Sequence, residues 1–170
     1  MQPKPTHDEK AAQGTDFLDR PIHRLWLLEQ ARDLLDFFLP SSINPGEGFF
    51  TLNRMGAPVN PPAAGGQVRK LHSTTGMVHC AVIAHQLGLP GVDDVIDHGM
   101  DFIWARHRDR KSGGYFWAVD DREAVDPAKQ AYGHAFVLLA GASAKVAGHP
   151  NADRLLADVT ETLLTTYASR

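Results

Sequence analysis

The sequence has only one cysteine, Cys80, so an internal disulfide framework is excluded and a reducing compartment is favoured. It has no apolar run long enough to span a bilayer, and residues 1–16 lack the apolar stretch of a signal peptide. Its 17 basic residues are balanced by 20 acidic ones, and no basic run is interleaved with aromatic residues. We therefore expect a cytoplasmic protein that binds neither membrane nor nucleic acid.

The composition and length fit one folded unit preceded by a polar lead-in. Hydrophobic residues make up 43% of the 170 positions, which suffices for a packed core and is far from the composition of disordered chains. Residues 1–18 are polar and contain proline, so we predict that they are disordered. Residues 19–170 are predicted to form the N-terminal part of one helical domain.

Apolar residues recur every three or four positions in five segments, a spacing typical of helices with one buried face. Gly88 and Gly148 are the expected ends of the second and fourth helices. The predicted helices are Pro21–Leu39 (closed by Pro40), Lys70–Leu87, Val92–His107, Asp126–Ala147 and Pro150–Tyr167. In the first helix, the residues expected on the buried face are Ile22, Leu25, Leu28, Ala31, Leu35 and Phe38.

Two short extended segments separate the helices, and they suggest a weak internal repeat. Gly48–Leu52 and Gly114–Val119 both follow glycine-rich turns, and Met55–Gln67 is a loop rich in proline and glycine. The pattern predicts an all-α fold of stacked helix pairs, each of which needs neighbours to bury its apolar face. Five helices make two pairs and one unpaired helix, so we expect a fragment of a larger architecture.

Six motifs follow one another in an order that resembles one known family. The motifs are SSINPGEGFFTL, LHSTTGMVHC, HQLGLPG, DHGMDFIWARHRD, SGGYFWAVDD and KQAYGHAFVLLAGASA. Over about Pro21–Thr166 they resemble the N-terminal part of the N-acylglucosamine 2-epimerase family, which includes sugar 2-epimerases and aldose–ketose isomerases such as mannose and sulfoquinovose isomerases. The resemblance implies an incomplete (α/α)6 barrel, in which this chain supplies the first five of twelve helices.

Gly76, inside the second predicted helix, is the main departure from the family pattern. The resemblance implies that an arginine usually stands here and binds sugar oxygens in the barrel mouth. A guanidinium has five fixed donors, whereas glycine has none, so this contact is missing. Because glycine within a helix costs about 1 kcal/mol relative to alanine, the position needs an explanation. One alternative is that Gly76 lets another helix approach closely.

Tyr132 is the second residue that the resemblance places in the sugar-binding site. A phenol can donate and accept hydrogen bonds, and its ring can pack beside a pyranose. The alternative is a core tyrosine of the fourth helix. His134, two positions further, faces another side of that helix and is expected to be structural or to lie behind the site.

His72 and His79 are two helical turns apart and share a face with Gly76, but a metal site is not predicted. No HExxH or CxxC pattern supplies a further ligand, so these histidines are expected to be solvated or hydrogen-bonded. A thiol nucleophile formed by Cys80 and its neighbour His79 is discounted, because adjacent helical residues point apart.

Two pairs of neighbouring carboxylates and a set of aromatic residues remain as candidates. Asp93–Asp94 and Asp120–Asp121 fit helix N-terminal and turn positions better than paired catalytic acids. The aromatic residues are equally compatible with a sugar-stacking site and with the core, because alternation turns about half of them inward. They are Phe49, Phe50, Tyr115, Phe116 and Trp117.

The function that the resemblance implies is aldose–ketose isomerisation or C2 epimerisation, by proton transfer through an enediol. The family's acid–base histidines lie in later helices, and none of the nine histidines here falls in a matching motif, so no catalytic residue is predicted in this chain. No metal or organic cofactor is implied, and the expected partner is a small-molecule sugar, bound once the missing helices complete the site. The alternative is an inactive remnant or a helical interaction module. A severed barrel would expose apolar helix faces and self-associate.

Overall fold

The computed structural model describes residues 20–45, 48–59 and 67–167, so the predicted disordered lead-in at residues 1–18 lies outside the described residues. Within these ranges the chain forms five helices and five short strands. The helices are α1 (Pro21–Ser42), α2 (Leu71–Gln86), α3 (Asp93–Phe102), α4 (Ala131–Val146) and α5 (Ala152–Thr166). The strands are β1 (Ile43–Asn44), β2 (Gly48–Phe49), β3 (Arg69–Lys70), β4 (Ala118–Val119) and β5 (Ala124–Asp126).

The predicted stacking of helix pairs is confirmed for α2 to α5. Helix α2 packs against α3, α4 packs against α5, and α2 also packs along α4. Small residues at the contacts let the helices approach closely, and branched aliphatic side chains fill the space between them. The buried side chains of this core include Val78, Ala81, Val82, Ile96, Val137, Ala140, Ala144, Leu155 and Val159.

The predicted ends of α2 and α4 are confirmed, and glycine is the reason for both. Gly88 has φ +73° and Gly148 has φ +77°, which is the left-handed conformation that glycine adopts without a steric penalty. After α2, the Gly88 amide donates to the His85 carbonyl at 2.9 Å and the Leu89 amide donates to the Ala84 carbonyl at 3.0 Å. These bonds satisfy carbonyls of the last turn and stop the helix.

Helix α1 differs from its prediction in both its end and its burial. It continues through Pro40 to Ser42, where the Ser42 hydroxyl donates to the Leu39 carbonyl at 3.3 Å and supports the last turn. The predicted buried face is wrong, because Ile22, Leu25, Leu28 and Phe38 are all exposed. A helical period determines which side chains share a face, but it does not determine what packs on that face. The described part of the chain divides into two compact units, with the boundary between Leu35 and Asp36.

Helix α4 begins later than predicted. The Asp126-Pro127 pair was expected to start it, but Asp126 ends strand β5 and the helix starts at Ala131. The Asp126 side chain accepts a hydrogen bond from the Ala128 amide at 3.0 Å, which makes a local turn instead of a helix cap. Asp and Pro are common in both settings, so the local sequence does not distinguish them.

Two small antiparallel sheets lie between the helices. Strand β1 pairs with β2, and β4 is the central strand between β3 and β5. The β3–β4 pairing places Arg69 opposite Val119 and Lys70 opposite Ala118. Because β3 leads directly into α2, this sheet is joined to the N-terminal end of that helix. Both predicted extended segments are therefore partly strand.

The chain after α3 continues as one wide turn of π-helix, Ile103–His107, which ends where the sequence predicted. The Arg108 amide donates to the Ile103 carbonyl, five residues back, at 3.1 Å. This turn carries the fully buried His107 into the core, where its Nδ1 donates to the Phe116 carbonyl at 3.1 Å. Among the helices that the structure describes, none has both the length and the apolar character needed to cross a membrane.

Candidate functional site

The candidate site lies at the N-terminal ends of α2 and α4, around Trp117. The Trp117 carbonyl accepts from the Leu71 amide at 2.8 Å, and its amide donates to the Ala128 carbonyl at 3.1 Å. These two bonds connect the backbone of Trp117 to the first residue of α2 and to the segment that precedes α4. The indole is half-buried and stacks on the imidazole of His72, with ring centroids 5.1 Å apart and ring planes at 22°.

Tyr132 continues this arrangement on α4. Its side chain is 58% exposed, and its ring centroid lies 6.2 Å from Trp117 and 4.8 Å from Phe136. We call His72, Trp117, Tyr132 and Phe136 the aromatic row. The core alternative for Tyr132 is wrong, because a core side chain would be buried. Its role in sugar binding stays a prediction, but its phenol has the access that such a role needs.

Gly76 lies one helical turn after His72 on α2, with open space beside it. A Cβ atom built on Gly76 meets no atom of the described residues within 4 Å, so close approach by one of the described helices does not explain the glycine. Packing within the described part of the chain therefore does not require a glycine here. Any side chain at this position would extend into the space beside α2, on the face that also carries His72. Whether Gly76 takes part in binding stays a prediction.

Gly76→Ala is expected to raise the free energy of unfolding by about 1 kcal/mol, because alanine loses less backbone entropy on entering a helix and nothing obstructs its methyl group. Gly99→Ala provides the matched control in α3. There a Cβ would overlap Val78 Cγ2 and lie 3.2 Å from the Phe49 ring, so a loss of about 1–3 kcal/mol is expected. Urea unfolding followed by circular dichroism measures both changes. A loss of stability in Gly76→Ala would show that its space is not open.

The other histidines near the site have structural roles. His134 is fully buried, its Nδ1 donates to the Gln130 carbonyl at 2.8 Å, and its Nε2 accepts from the Tyr115 amide at 3.1 Å. Burial lowers its pKa, so the ring is neutral near pH 7. His79 Nδ1 is 2.8 Å from Ser143 Oγ and joins α2 to α4. Cys80 is exposed and unpaired.

The paired carboxylates occupy the structural positions that the sequence favoured. Asp93 and Asp94 lie in the first turn of α3, where acidic residues are favourable. Asp120 accepts hydrogen bonds from the Glu123 and Arg122 amides, both at 2.7 Å, and these bonds hold the pKa of its carboxyl below the usual value. Among the described residues, no group of three or more His, Cys, Asp or Glu side chains is arranged to hold a metal ion.

The five aromatic residues that the sequence left undecided divide between core and surface. Phe49 and Tyr115 are buried, whereas Phe50, Phe116 and Trp117 are half-buried. Of these, Trp117 belongs to the aromatic row. Its pairing with His72 was not predicted, because the two residues are far apart in sequence and come together only through the β3–β4 pairing.

The burial of Arg69 is also not predicted by the sequence. Its side chain is only 3% exposed, and its Nη1 forms an ion pair with Asp121 and donates to the Gln67 carbonyl at 2.7 Å. The local sequence, Val68-Arg69-Lys70, has the appearance of a solvated strand end. Only the contact with the loop that follows β4, 52 residues away, explains why this arginine is buried.

Comparisons with known proteins agree with this architecture. A family model for N-acylglucosamine 2-epimerase (GlcNAc 2-epimerase) matches residues 47–170. A D-mannose isomerase of Thermobifida fusca is 43% identical over 140 residues, which are 81% of this chain and 32% of that protein. A D-mannose isomerase of Pseudomonas cannabina pv. alisalensis is 36% identical over 156 residues, or 91% of this chain and 36% of that protein. The chain thus spans about a third of the length of these relatives.

Comparison with solved structures also finds similar proteins among sugar isomerases and epimerases. A D-mannose isomerase structure superposes with a TM-score of 0.72 at 27% identity, covering 82% of this chain and 35% of that one. Cellobiose 2-epimerase from Bacillus thermoamylovorans gives a TM-score of 0.66 at 17% identity, covering 82% and 37%, and shows the fold alone. The predicted fold class, an incomplete (α/α)6 barrel, is confirmed. On the combined sequence and structural matches, this chain belongs to the N-acylglucosamine 2-epimerase family.

Proposed function

We propose that this chain is part of a sugar isomerase or epimerase and forms one side of its sugar-binding surface. The reaction would move a proton at the carbon next to the sugar carbonyl, through an enediol, to give a ketose or to invert C2. Two relatives are D-mannose isomerases, so D-mannose is the first substrate to test. The observation that carries the proposal is the accessible aromatic row at the ends of two neighbouring helices.

The aromatic row has the chemistry that a sugar ring needs. The stacked pair of His72 and Trp117 offers apolar ring surface to the C–H face of a pyranose. The exposed phenol of Tyr132 can donate to and accept from sugar hydroxyls. The space beside Gly76 leaves room on the same face of α2 for the sugar or for one of its substituents.

We further propose that this chain contributes binding groups and not the groups that transfer protons. Both ring nitrogens of His134 and of His107 are occupied by hydrogen bonds within the fold. The family resemblance assigns the acid–base histidines to helices other than those of this chain. The alternative, an inactive relative or a helical interaction module, is favoured by the absence of a side chain at Gly76.

Two further expectations belong to this proposal. A cytoplasmic location is supported by the unpaired thiol of Cys80, which suits a reducing compartment. Self-association through apolar helix faces is supported by large exposed hydrophobic side chains, among them Ile83 on α2, Val146 on α4 and Leu164 on α5.

The proposal predicts that the protein containing this chain converts D-mannose to D-fructose, which a colorimetric ketose assay measures. Tyr132→Phe removes one hydroxyl without removing the ring, so kcat/KM is expected to fall by about tenfold, the equivalent of one hydrogen bond of roughly 1.4 kcal/mol. Tyr167→Phe is the matched control, because the Tyr167 hydroxyl donates to the Lys129 carbonyl at 2.6 Å and lies outside the aromatic row.

The outcomes separate the two hypotheses. Equal activity in the Tyr132 and Tyr167 variants would remove Tyr132 from the site. If neither D-mannose turnover nor a change in tryptophan fluorescence on adding D-mannose is detected, the inactive alternative is favoured. Gly76→Arg is then a further variant to test, because its guanidinium adds five donors beside the aromatic row. If this variant gains D-mannose binding, the lack of a side chain at position 76 explains the missing affinity.

A further inference from the structure

A cavity adjoins the aromatic row and shares His72 with it. It measures about 500 Å³ and lies between β3, the first turns of α2 and the segment Phe49–Leu52. One wall is apolar and includes Phe49, Phe50 and Met77. The other wall is polar and is formed by Arg69, Lys70, His72, Ser73 and Thr74. His72 also belongs to the aromatic row, but the proposed sugar binding gives no role to the other members of this polar wall.

Arg69 is the unusual member of the wall. Its guanidinium is almost completely buried and its Cζ lies 5.7 Å from the centroid of the Phe102 ring, yet only Nη1 has hydrogen-bond or ion-pair partners, namely Asp121 and the Gln67 carbonyl. Its Nε and Nη2 have no hydrogen-bond partner among the described residues. Leaving charged donors buried and unpaired costs free energy, so such groups usually have an acceptor supplied by a ligand or by water. Arg69 is thus a half-satisfied cation in the wall of a cavity.

The surroundings of Arg69 favour an anionic ligand. Among the described residues, the cavity lining contains the cations Arg69 and Lys70 but no carboxylate, since Asp121 lies outside it. The exposed Ser73 hydroxyl adds a further donor. His72 Nδ1 is also buried and has no hydrogen-bond partner within the described part of the chain. An oxyanion would supply the acceptors that Arg69 Nε, Arg69 Nη2 and His72 Nδ1 lack.

We propose that this cavity binds the oxyanion group of a small molecule, a phosphate, sulfonate or carboxylate, with Arg69 as its main ligand. A guanidinium matches the oxygen spacing of these groups through two parallel N–H bonds. Arg69 lines the cavity, and its Nε and Nη2 are the donors still free to form this pair of bonds. The rest of the molecule packs on Phe49 and Phe50. The proposal concerns binding alone and does not depend on the isomerase activity.

Titration calorimetry with inorganic phosphate tests the proposal, with sodium chloride keeping the ionic strength constant. Saturable binding in the millimolar range or tighter is expected, and Arg69→Gln should weaken it by at least about tenfold. Arg154→Gln is the matched control, because that guanidinium lies over the Trp104 ring, 4.1 Å from its centroid, and is not part of the cavity. Sulfate and acetate arms show which oxyanion is preferred.

Ser73→Asp keeps the test decisive if Arg69→Gln does not fold. Ser73 is exposed in the first turn of α2, so an aspartate is tolerated there and places a carboxylate in the cavity. Phosphate binding should then disappear while the circular dichroism spectrum stays unchanged. The proposal is overturned if the unmodified protein shows no saturable phosphate binding, or if Ser73→Asp binds phosphate as well as the unmodified protein does.

Discussion

Replacing Asp158 with alanine is expected to lower the free energy of unfolding by about 3 kcal/mol. Asp158, on α5, accepts hydrogen bonds from Arg108 Nε at 2.9 Å and from the Tyr115 hydroxyl at 2.7 Å, and it also forms an ion pair with Arg108 Nη2. Tyr115 is fully buried, so removing the carboxylate leaves its hydroxyl without an acceptor. The same change removes the only carboxylate that pairs with Arg108 among the described residues and leaves this half-buried cation with the Trp104 ring, 4.4 Å from its Cζ.

The charge states of Asp158, Arg108 and Tyr115 support the expected loss of stability in Asp158→Ala. Burial alone would raise the pKa of Asp158, but the hydrogen bonds from Arg108 and Tyr115 outweigh it and hold that pKa below the usual value. Burial raises the pKa of the Tyr115 hydroxyl, and its hydrogen bond to the Asp158 carboxylate raises it further. At neutral pH the cluster therefore consists of one carboxylate, one guanidinium and one neutral phenol.

The control for Asp158→Ala is Asp153→Ala, which removes a carboxylate from the same helix. Asp153 pairs with Lys145 at 2.6 Å, but the two side chains are 77% and 61% exposed. Exposed pairs contribute little, so a change within about 0.5 kcal/mol is expected. Urea unfolding at neutral pH measures both variants. Equal losses in the two would mean that burial does not decide the contribution of these ion pairs.

The helical part of the fold could be predicted because its signals are local. The spacing of apolar residues and the glycine at position 88 determine the extent of α2 without reference to distant residues. The start of α4 could not be predicted, because the Asp126 side chain serves equally well in a turn and in a helix cap. The burial of the apolar face of α1 could not be predicted either, since burial depends on what covers a face.

The candidate site shows the same division between local and distant signals. Tyr132 was identified through the family motif around it, and its exposure fits the role that the resemblance implies. The contribution of Trp117 and the burial of Arg69 depend on the pairing of β3 with β4, which joins residues about 50 positions apart. Strands of two residues carry too little periodicity for such a pairing to be deduced from sequence. The position of Trp117 beside His72 and the burial of Arg69 therefore could not be predicted, because both depend on contacts between residues far apart in the sequence.

Acidification from pH 6.5 to about pH 4 is expected to destabilise the folded chain by about 3 kcal/mol through His107. Burial lowers the pKa of His107 from 6.5 to about 4, and the nearby Arg106 and Arg69 lower it further, although the bond to the Phe116 carbonyl opposes this. Between pH 6.5 and 4 the imidazole of His107 becomes protonated in the unfolded chain but stays largely neutral in the folded chain. The stabilisation is therefore complete above pH 6.5 and is lost as the pH falls toward 4.

His134 adds to the same loss, because burial lowers its pKa as well. Carboxylates contribute at lower pH: the hydrogen bond from Lys129 lowers the pKa of Asp109 to about 2, so the stabilisation by Asp109 is lost below pH 4. Urea unfolding at several pH values between 7 and 4 measures the slope. His107→Gln keeps a donor for the Phe116 carbonyl but cannot be protonated, so it should remove much of the slope above pH 4.

His85→Gln is the control, because His85 is an exposed histidine whose Nδ1 lies 2.7 Å from an exposed carboxylate of Asp93. It changes the number of histidines by the same amount but removes no buried titrating group, so the slope between pH 6.5 and 4 should stay as it is. A slope that persists in His107→Gln would show that the buried ring accepts a proton without loss of stability. A slope that disappears in His85→Gln would assign the effect to a surface pair and not to His107, whose low pKa comes mainly from burial.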